Sequence, residues 1–168
     1  EAMKWLLANI SKGRDVSQFY PDVVKNVIVE SVELKKLVYM FLTHYADHNA
    51  DCRELALLSI NSFQKDLEDG NQLVRALALR VLTSIRLRDI VQIQVIAVRK
   101  CVGDQSPYVR KTAAHSIPKM FQADVDQQEL LTDLVSTLLG DASPMVLSSA
   151  LAAFGEVCPS RHDLLHPH

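Results

Sequence analysis

The chain has 168 residues, of which 48% are hydrophobic, and its formal net charge is −2. This charge balance argues against a protein built mainly to coat nucleic acid, for which a strongly basic domain is expected. Only 5 glycines and 6 prolines are present, and long stretches rich in Leu, Val, Ala, Lys, Arg and Gln favour helices over strands.

Thiols and apolar runs limit the class of protein further. Cys52, Cys101 and Cys158 are far apart and form no CxxC pair, which favours buried, reduced thiols in an intracellular protein. The longest uninterrupted apolar run, Leu37–Leu42, is much shorter than the ~18 residues that cross a bilayer, so we expect no transmembrane segment. The amino terminus has no signal-peptide layout and no initiating Met, and we expect the sequence to be a segment of a longer protein.

The pattern of apolar residues and turn residues predicts helices along the whole chain. A leading helix is predicted over 1–12, followed by four antiparallel helix pairs that span 16–46, 52–86, 89–121 and 127–157. The first helices of the pairs are predicted over 16–29, 52–66, 89–102 and 127–139. The second helices are predicted over 31–46, 71–86, 106–121 and 143–157. Pro118 predicts a kink or an early end in the third of these second helices.

An internal repeat supports this division. An acidic residue precedes each predicted second helix, at intervals of 39, 35 and 37 residues: Glu30, Asp69, Asp104 and Asp141. Periods of this length are typical of stacked helical hairpins. Turn and capping residues recur at the same places in the last two copies, as Gly103 and Gly140 followed by Ser106-Pro107 and Ser143-Pro144. The fold class is therefore predicted to be all-α, one fragment of a solenoid of HEAT- or armadillo-like helix pairs.

A basic residue follows two of these aspartates at a fixed distance of six residues, as Arg75 after Asp69 and Arg110 after Asp104. A turn aspartate can accept hydrogen bonds from the next helix's free N–H groups, and an arginine on a neighbouring second helix can reach the same carboxylate. We call this predicted set, Asp69, Arg75, Asp104 and Arg110, the arginine ladder. A structural role is favoured over a catalytic acid–base pair, because one active site is not built by repetition along a chain.

Other candidate sites give weaker patterns. His44 and His48 share the spacing of zinc ligands on a helix, but no cysteine ligand is near, and a polar helix end is favoured. Ser116 and Lys119 match the S-x-x-K spacing of penicillin-binding enzymes without its partner motifs. The tail carries three further histidines, and His115 is predicted to be packed or capped. We expect no enzyme, no metal and no cofactor. The tail histidines are His162, His166 and His168.

The middle of the chain is basic. Between Arg75 and Lys119 there are 9 basic and 2 acidic residues. Two interpretations remain open: a solvated surface with extended basic side chains, or a patch that faces anionic lipid or an acidic protein partner. The candidate patch residues are Arg80, Arg86, Arg88, Arg99, Lys100 and Lys111.

Four stretches resemble the amino-terminal trunk of β-adaptins, the large subunits of heterotetrameric adaptor complexes that select cargo for coated vesicles. They are "VELKKLVYMFLTHYA" (Val32–Ala46), "NQLVRALALRVLTSIR" (Asn71–Arg86), "DQSPYVRKTAAHSIPK" (Asp104–Lys119) and "FGEVCPSRHDLLH" (Phe154–His166). The resemblance covers nearly the whole chain. The last stretch and the "SIR" string are most similar to the branch in the third adaptor complex, which serves traffic from endosomes and Golgi to lysosomes.

The resemblance implies a scaffold for vesicle-mediated protein transport, cytoplasmic and peripheral on Golgi and endosomal membranes and coated vesicles. Its implied partners are a second large subunit, a medium subunit and a small subunit, with an Arf-type GTPase and anionic membrane lipid as further candidates and no nucleic acid. A karyopherin-type transport receptor or another helical-repeat scaffold is the alternative. A helical-repeat enzyme such as a DNA glycosylase is a third class.

Overall fold

A computed structural model describes residues 1–165, which form α-helices and short 3₁₀ turns and contain no β-strand. Because helices account for all of its regular structure, the predicted all-α class is confirmed for this range. Residues 1–165 contain nine α-helices: α1 Ala2–Ser11, α2 Tyr20–Val24, α3 Val32–Tyr45, α4 Ala50–Asp66, α5 Gln72–Leu82, α6 Val91–Val102, α7 Pro107–Ala123, α8 Gln128–Leu139 and α9 Pro144–Val157.

The helices stack as two layers. Each first helix packs on the second helix of its own pair, as α4 does on α5 and α8 on α9. The second helices also pack on one another in chain order, α3 on α5, α5 on α7 and α7 on α9. One hairpin cannot bury its apolar face alone, and the stack buries these faces in one continuous core. The arrangement is the predicted solenoid.

Two helices are shorter than predicted. The first helix of the first pair consists of the 3₁₀ turn Ser17–Phe19 and the five residues of α2, and the β-branched residues that follow Val24 are poor helix formers. Helix α5 ends at Leu82 and not at residue 86. The Gln94 side chain bonds to the carbonyls at this end, because its Nε2 donates to the oxygens of Leu82, the last helical residue, and of Ile85 beyond it at 2.7 and 2.8 Å.

Pro118 does not end α7, so the early stop is wrong. The helix continues for five residues beyond the proline, to Ala123. Proline removes one backbone N–H from the helix. The neighbouring side chains of Ile117 and Met120 are almost fully buried, and this packing holds the helix through the proline.

The second helices share one register, which their N-caps define. The side chains of Ser31, Asn71 and Ser106 accept a hydrogen bond from a backbone N–H in the first turn of α3, α5 and α7, at 3.4, 2.9 and 3.2 Å. Ser143 is the N-cap residue of α9. The side chains of Ser31, Asn71 and Ser106 each satisfy a backbone N–H that has no partner within the helix, whereas the Ser143 side chain makes no such bond. Counting from these caps aligns equivalent positions in the four pairs.

We expect burial, and not the register position alone, to decide which leucines stabilise the stack. Leu79 and Leu151 both stand eight residues after their caps, but Leu79 is fully buried and Leu151 is 51% exposed. Leu79→Ala should lower the free energy of unfolding of the 168-residue chain by about 2–5 kcal/mol, because it leaves a cavity. Leu151→Ala is the matched control and should cost less than about 1 kcal/mol. Urea unfolding followed by circular dichroism measures both, and equal losses would contradict the difference in burial between the two leucines.

Candidate functional site

Arg75 joins two successive turns of the stack. Its Nε and Nη2 donate to the two carboxylate oxygens of Asp104, both at 2.9 Å. Its Nη1 donates to the backbone oxygens of Asp69 and Gly70 at 2.8 and 3.2 Å. The planar guanidinium therefore makes a two-point contact with the next turn while it holds the carbonyls of its own turn.

Arg110 repeats this geometry one helix pair later. Its Nε and Nη2 donate to the carboxylate of Asp141 at 2.6 and 3.1 Å, and its Nη1 donates to the backbone oxygens of Asp104 and Gln105 at 2.8 and 3.1 Å. Asp104 is thus bound to Arg75 through its carboxylate and to Arg110 through its carbonyl. The contacts run in one direction along the chain.

The aspartates also bond to their own turns. Asp104 Oδ1 accepts from the N–H of Ser106, and Asp141 Oδ1 accepts from the N–H of Ser143, both at 2.8 Å. The hydrogen bonds from Arg110 hold the pKa of Asp141 below its usual range. Burial alone raises the pKa of Asp104, but the hydrogen bonds from Arg75 and the Ser106 N–H outweigh it and leave that pKa lowered. Both carboxylates are therefore bound as anions.

The ladder changes at its amino-terminal end. Four residues after the cap, the position of Arg75 and Arg110 is taken in the first pair by Lys35, and not by Lys36, which stands six residues after Glu30. Lys35 Nζ contacts Asp66 Oδ2 at 2.5 Å, and Tyr39 Oη donates to the same oxygen. Lys36 is exposed.

Asp69 takes a smaller part in the ladder than the spacing predicts. Its Oδ1 accepts from the N–H of Asn71 at 2.7 Å, within its own turn, and Arg75 binds its backbone oxygen. The preceding cation, Lys35, is committed to Asp66 at the carboxyl end of α4. A lysine there neutralises a carboxylate that lies at the negative end of a helix dipole.

The candidate basic patch is distributed over both helix layers. Arg99 and Lys100 lie near the end of α6, where Lys100 is paired with Glu68. Arg80, on α5, donates to the hydroxyl of Tyr108 at 3.4 Å, and Lys111 is on α7. The six side chains therefore do not form one site. The structure places the remaining two, Arg86 and Arg88, after the end of α5.

Arg86 and Arg88 line an open groove of about 490 Å³ between the end of α5, the start of α6 and the end of α7. Lys119 lies on the opposite side and donates to Ser84 Oγ at 3.2 Å. Lys119 belongs to the basic stretch between Arg75 and Lys119 but is not one of the predicted patch residues. The shared register identifies it, because Ser84 and Lys119 both stand thirteen residues after their caps.

The histidine and cysteine candidates have ordinary structural surroundings. His44 packs edge-on against Tyr45, and His48 Nε2 is 3.8 Å from Asp15 Oδ2. His115 Nε2 is 3.2 Å from Ser149 Oγ. Within the described range 1–165, no group of three or more His, Cys, Asp or Glu side chains could hold a metal, and no helix is long and apolar enough to cross a membrane. His166 and His168 lie outside the described residues, and the three cysteines are buried as predicted.

We expect Arg75→Gln to lower the free energy of unfolding by about 3 kcal/mol, because it leaves the Asp104 carboxylate without its counter-charge in a largely buried position. Arg99→Gln removes the same charge from an exposed position and should leave the free energy nearly unchanged. Chemical unfolding of both variants checks this expectation. A loss of equal size in the two variants would show that net charge matters and the ladder does not.

The ladder should also make stability depend on pH in the acid range. The folded pKa values of Asp104 and Asp141 are lowered, so their contribution is complete above the ordinary aspartate pKa of about 3.9 and is lost as pH falls through the lowered values. The stability advantage over an Arg75→Gln/Arg110→Gln variant should therefore be the same at pH 7 and pH 5 and smaller at pH 3. Urea titrations at the three pH values measure it; an advantage that persists undiminished at pH 3 contradicts the assignment.

Comparison with known proteins assigns this sequence to a family. Residues 1–168 match the family described as the adaptin N terminal region. The Dictyostelium discoideum protein named AP-3 complex subunit beta is 55% identical over 168 residues, which are 100% of this chain and 15% of that protein. The Mus musculus protein AP-3 complex subunit beta-2 is 51% identical over 166 residues, 99% of this chain and 15% of that protein. The chain therefore spans a small part of these relatives' length.

Solved structures agree on the architecture. A designed armadillo repeat protein superposes with a TM-score of 0.59 at 21% identity, covering 96% of this chain and 71% of that one. An engineered protein gives 0.57 at 17% identity, covering 86% of this chain and 64% of that one. At such identities the likeness concerns the fold alone. Since the family match extends over every residue, this chain belongs to the adaptin N-terminal family.

Proposed function

We propose that the chain is a scaffold segment of a β-type subunit in a heterotetrameric adaptor complex, where it serves vesicle-mediated protein transport and cargo sorting. The observation that carries this proposal is the identity of about half of all residues, over the whole chain, to proteins named as AP-3 complex beta subunits. The proposed partners are the second large, the medium and the small subunit. An Arf-type GTPase and anionic membrane lipid are proposed as further partners.

The proposed mechanism is display of surfaces on a stiff stack. The arginine ladder and the continuous core fix the second, third and fourth helix pairs against one another, so side chains on these pairs keep constant distances. Large apolar side chains on the outside of the first-helix layer support contact with partners. Leu58 on α4 is 68% exposed and Ile96 on α6 is 66% exposed, and burial against another subunit would stabilise both.

The proposed location is the cytoplasmic side of Golgi and endosomal membranes and of coated vesicles, with the chain held there by its partners. The exposed cations Arg80, Arg86, Arg88 and Arg99 and the half-buried Lys111 are proposed to favour anionic partners. A karyopherin-type receptor is not favoured, because the whole-chain match is to the adaptin family. The relatives' names, which are those of adaptor complex subunits, favour a scaffold over a helical-repeat enzyme.

Affinity purification of the complete subunit from cells tests the proposal. We expect recovery of a second large adaptin, a medium subunit and a small subunit, identified by mass spectrometry. Ile96→Glu should reduce recovery of at least one partner, because it places a charge on an apolar contact surface. Gln92→Glu, an exposed change of charge on the same helix, is the matched control and should not. A purification that yields none of the three subunits would overturn the proposal.

A further inference from the structure

The groove between α5, α6 and α7 is lined by three cationic side chains. Arg86 and Arg88 stand on one side and Lys119 on the other, and no acidic side chain lines it. None of the three cations forms an ion pair within residues 1–165. Burial, and then the charge of Arg80, lower the pKa of Lys119. The groove is therefore a cationic environment without its own counter-charge.

Nearby acidic residues do not supply that counter-charge. Asp89 follows Arg88 but is exposed and does not line the groove. The Asp124 carboxylate accepts from the N–H of Asp126 and from Gln127 Nε2, so it caps the 3₁₀ turn Val125–Gln127 that follows α7. An anion that comes from elsewhere would find three cations whose ionic interactions are not yet used.

The walls of the groove are apolar below the cations. Leu87, Val91, Met120 and Ala123 line it together with Ile85. Met120 and Val91 are almost fully buried, and Gln94 is held in place by its bonds to the carbonyls of Leu82 and Ile85. A ligand that carries only phosphate groups would leave this apolar surface without a partner. A ligand with one apolar group between acidic groups would use both.

The backbone along the groove is suited to a peptide. The residues from Ile85 to Leu87 lie outside any helix, and Leu87 has the extended angles φ −117° and ψ 123°. Among the hydrogen bonds of the described chain, the N–H groups of these three residues donate to no other backbone group. An extended peptide can bond to such a segment while its side chains enter pockets.

We propose that this groove binds a short acidic peptide segment of a partner protein, in extended form, with one apolar side chain placed between Asp or Glu residues. The apolar side chain fills the space beside Met120, and the acidic residues reach Arg86, Arg88 and Lys119. The proposal deepens the anionic-partner part of the proposed function and rests on it only for the idea of a partner. It does not require assembly with the other subunits.

The stacking of the repeats does not require the charges of Arg86, Arg88 and Lys119. At the register position of Lys119, the other pairs carry His44, Ser84 and Glu156. The turn that holds Arg86 and Arg88 corresponds in the following pair to the acidic turn with Asp124 and Asp126. The cations are therefore specific to this groove and are not required for stacking.

Fluorescence anisotropy with a labelled octapeptide, one isoleucine within seven Asp and Glu residues, tests the proposal on the full chain. We expect saturable binding that weakens with added salt, and a loss of about tenfold or more in the Arg86→Gln/Arg88→Gln/Lys119→Gln variant. The Arg53→Gln/Lys65→Gln/Arg99→Gln variant removes the same charge from exposed positions outside the groove and should bind as the parent does. Replacing the peptide isoleucine by serine should also weaken binding about tenfold.

A second measurement needs no variant. The same peptide with a photoreactive diazirine in its apolar side chain should cross-link to the wall residues Leu87, Val91 or Met120, as mapped by mass spectrometry. Equal loss in the two charge variants, or cross-links spread over other surfaces, would overturn the proposal. So would binding to vesicles containing phosphatidylinositol phosphates that depends on the groove cations while the peptide fails to bind. Recovery of the other adaptor subunits is a separate measurement, so failure here leaves that result unaffected.

Discussion

The contact between an arginine and the aspartate of the following turn is the interaction on which the rest of this structure depends. Arg75 and Arg110 each use two nitrogens for a carboxylate in the next helix pair and a third for carbonyls in their own. The bonded carboxylate also accepts a backbone N–H from the turn that carries it. Hydrophobic burial makes the pairs stack, but it is not directional. The planar two-point contact fixes the angle between one pair and the next.

The sequence predicts this contact because its chemistry is repeated. An acid in a turn and a base six residues later require no knowledge of distant residues beyond the period of the repeat, so Asp104 and Arg75 could be paired before the structure was available. The corresponding contact of the first helix pair could not be predicted from the repeat. Lys35 is paired with Asp66, which lies at the end of a helix and outside the repeated turn position, so the pattern contained no indication of it.

The other differences between the predicted and the observed elements have local causes. The short α2 reflects β-branched residues whose poor propensity outweighs the repeat pattern there. Helix α7 continues through Pro118 because packing on both sides of the proline outweighs one missing hydrogen bond. The basic groove was beyond a linear count of charges, since Lys119 lies beside Ser84, in the segment after α5, only through the stacking of α5 on α7. Counting from the N-caps brings Ser84 and Lys119 into equivalent positions and would have shown that proximity.

The unequal chemistry of the contacts along the stack has a mechanical consequence. An ammonium group on a flexible stem has no preferred plane, whereas a guanidinium bound at two points resists rotation. The joint that depends on Lys35 is therefore less strictly oriented than the two that depend on Arg75 and Arg110. Bending of the stack should concentrate at the contact between Lys35 and Asp66. Helices α1 to α3 would then move as one unit relative to the stiffer part from α4 to α9.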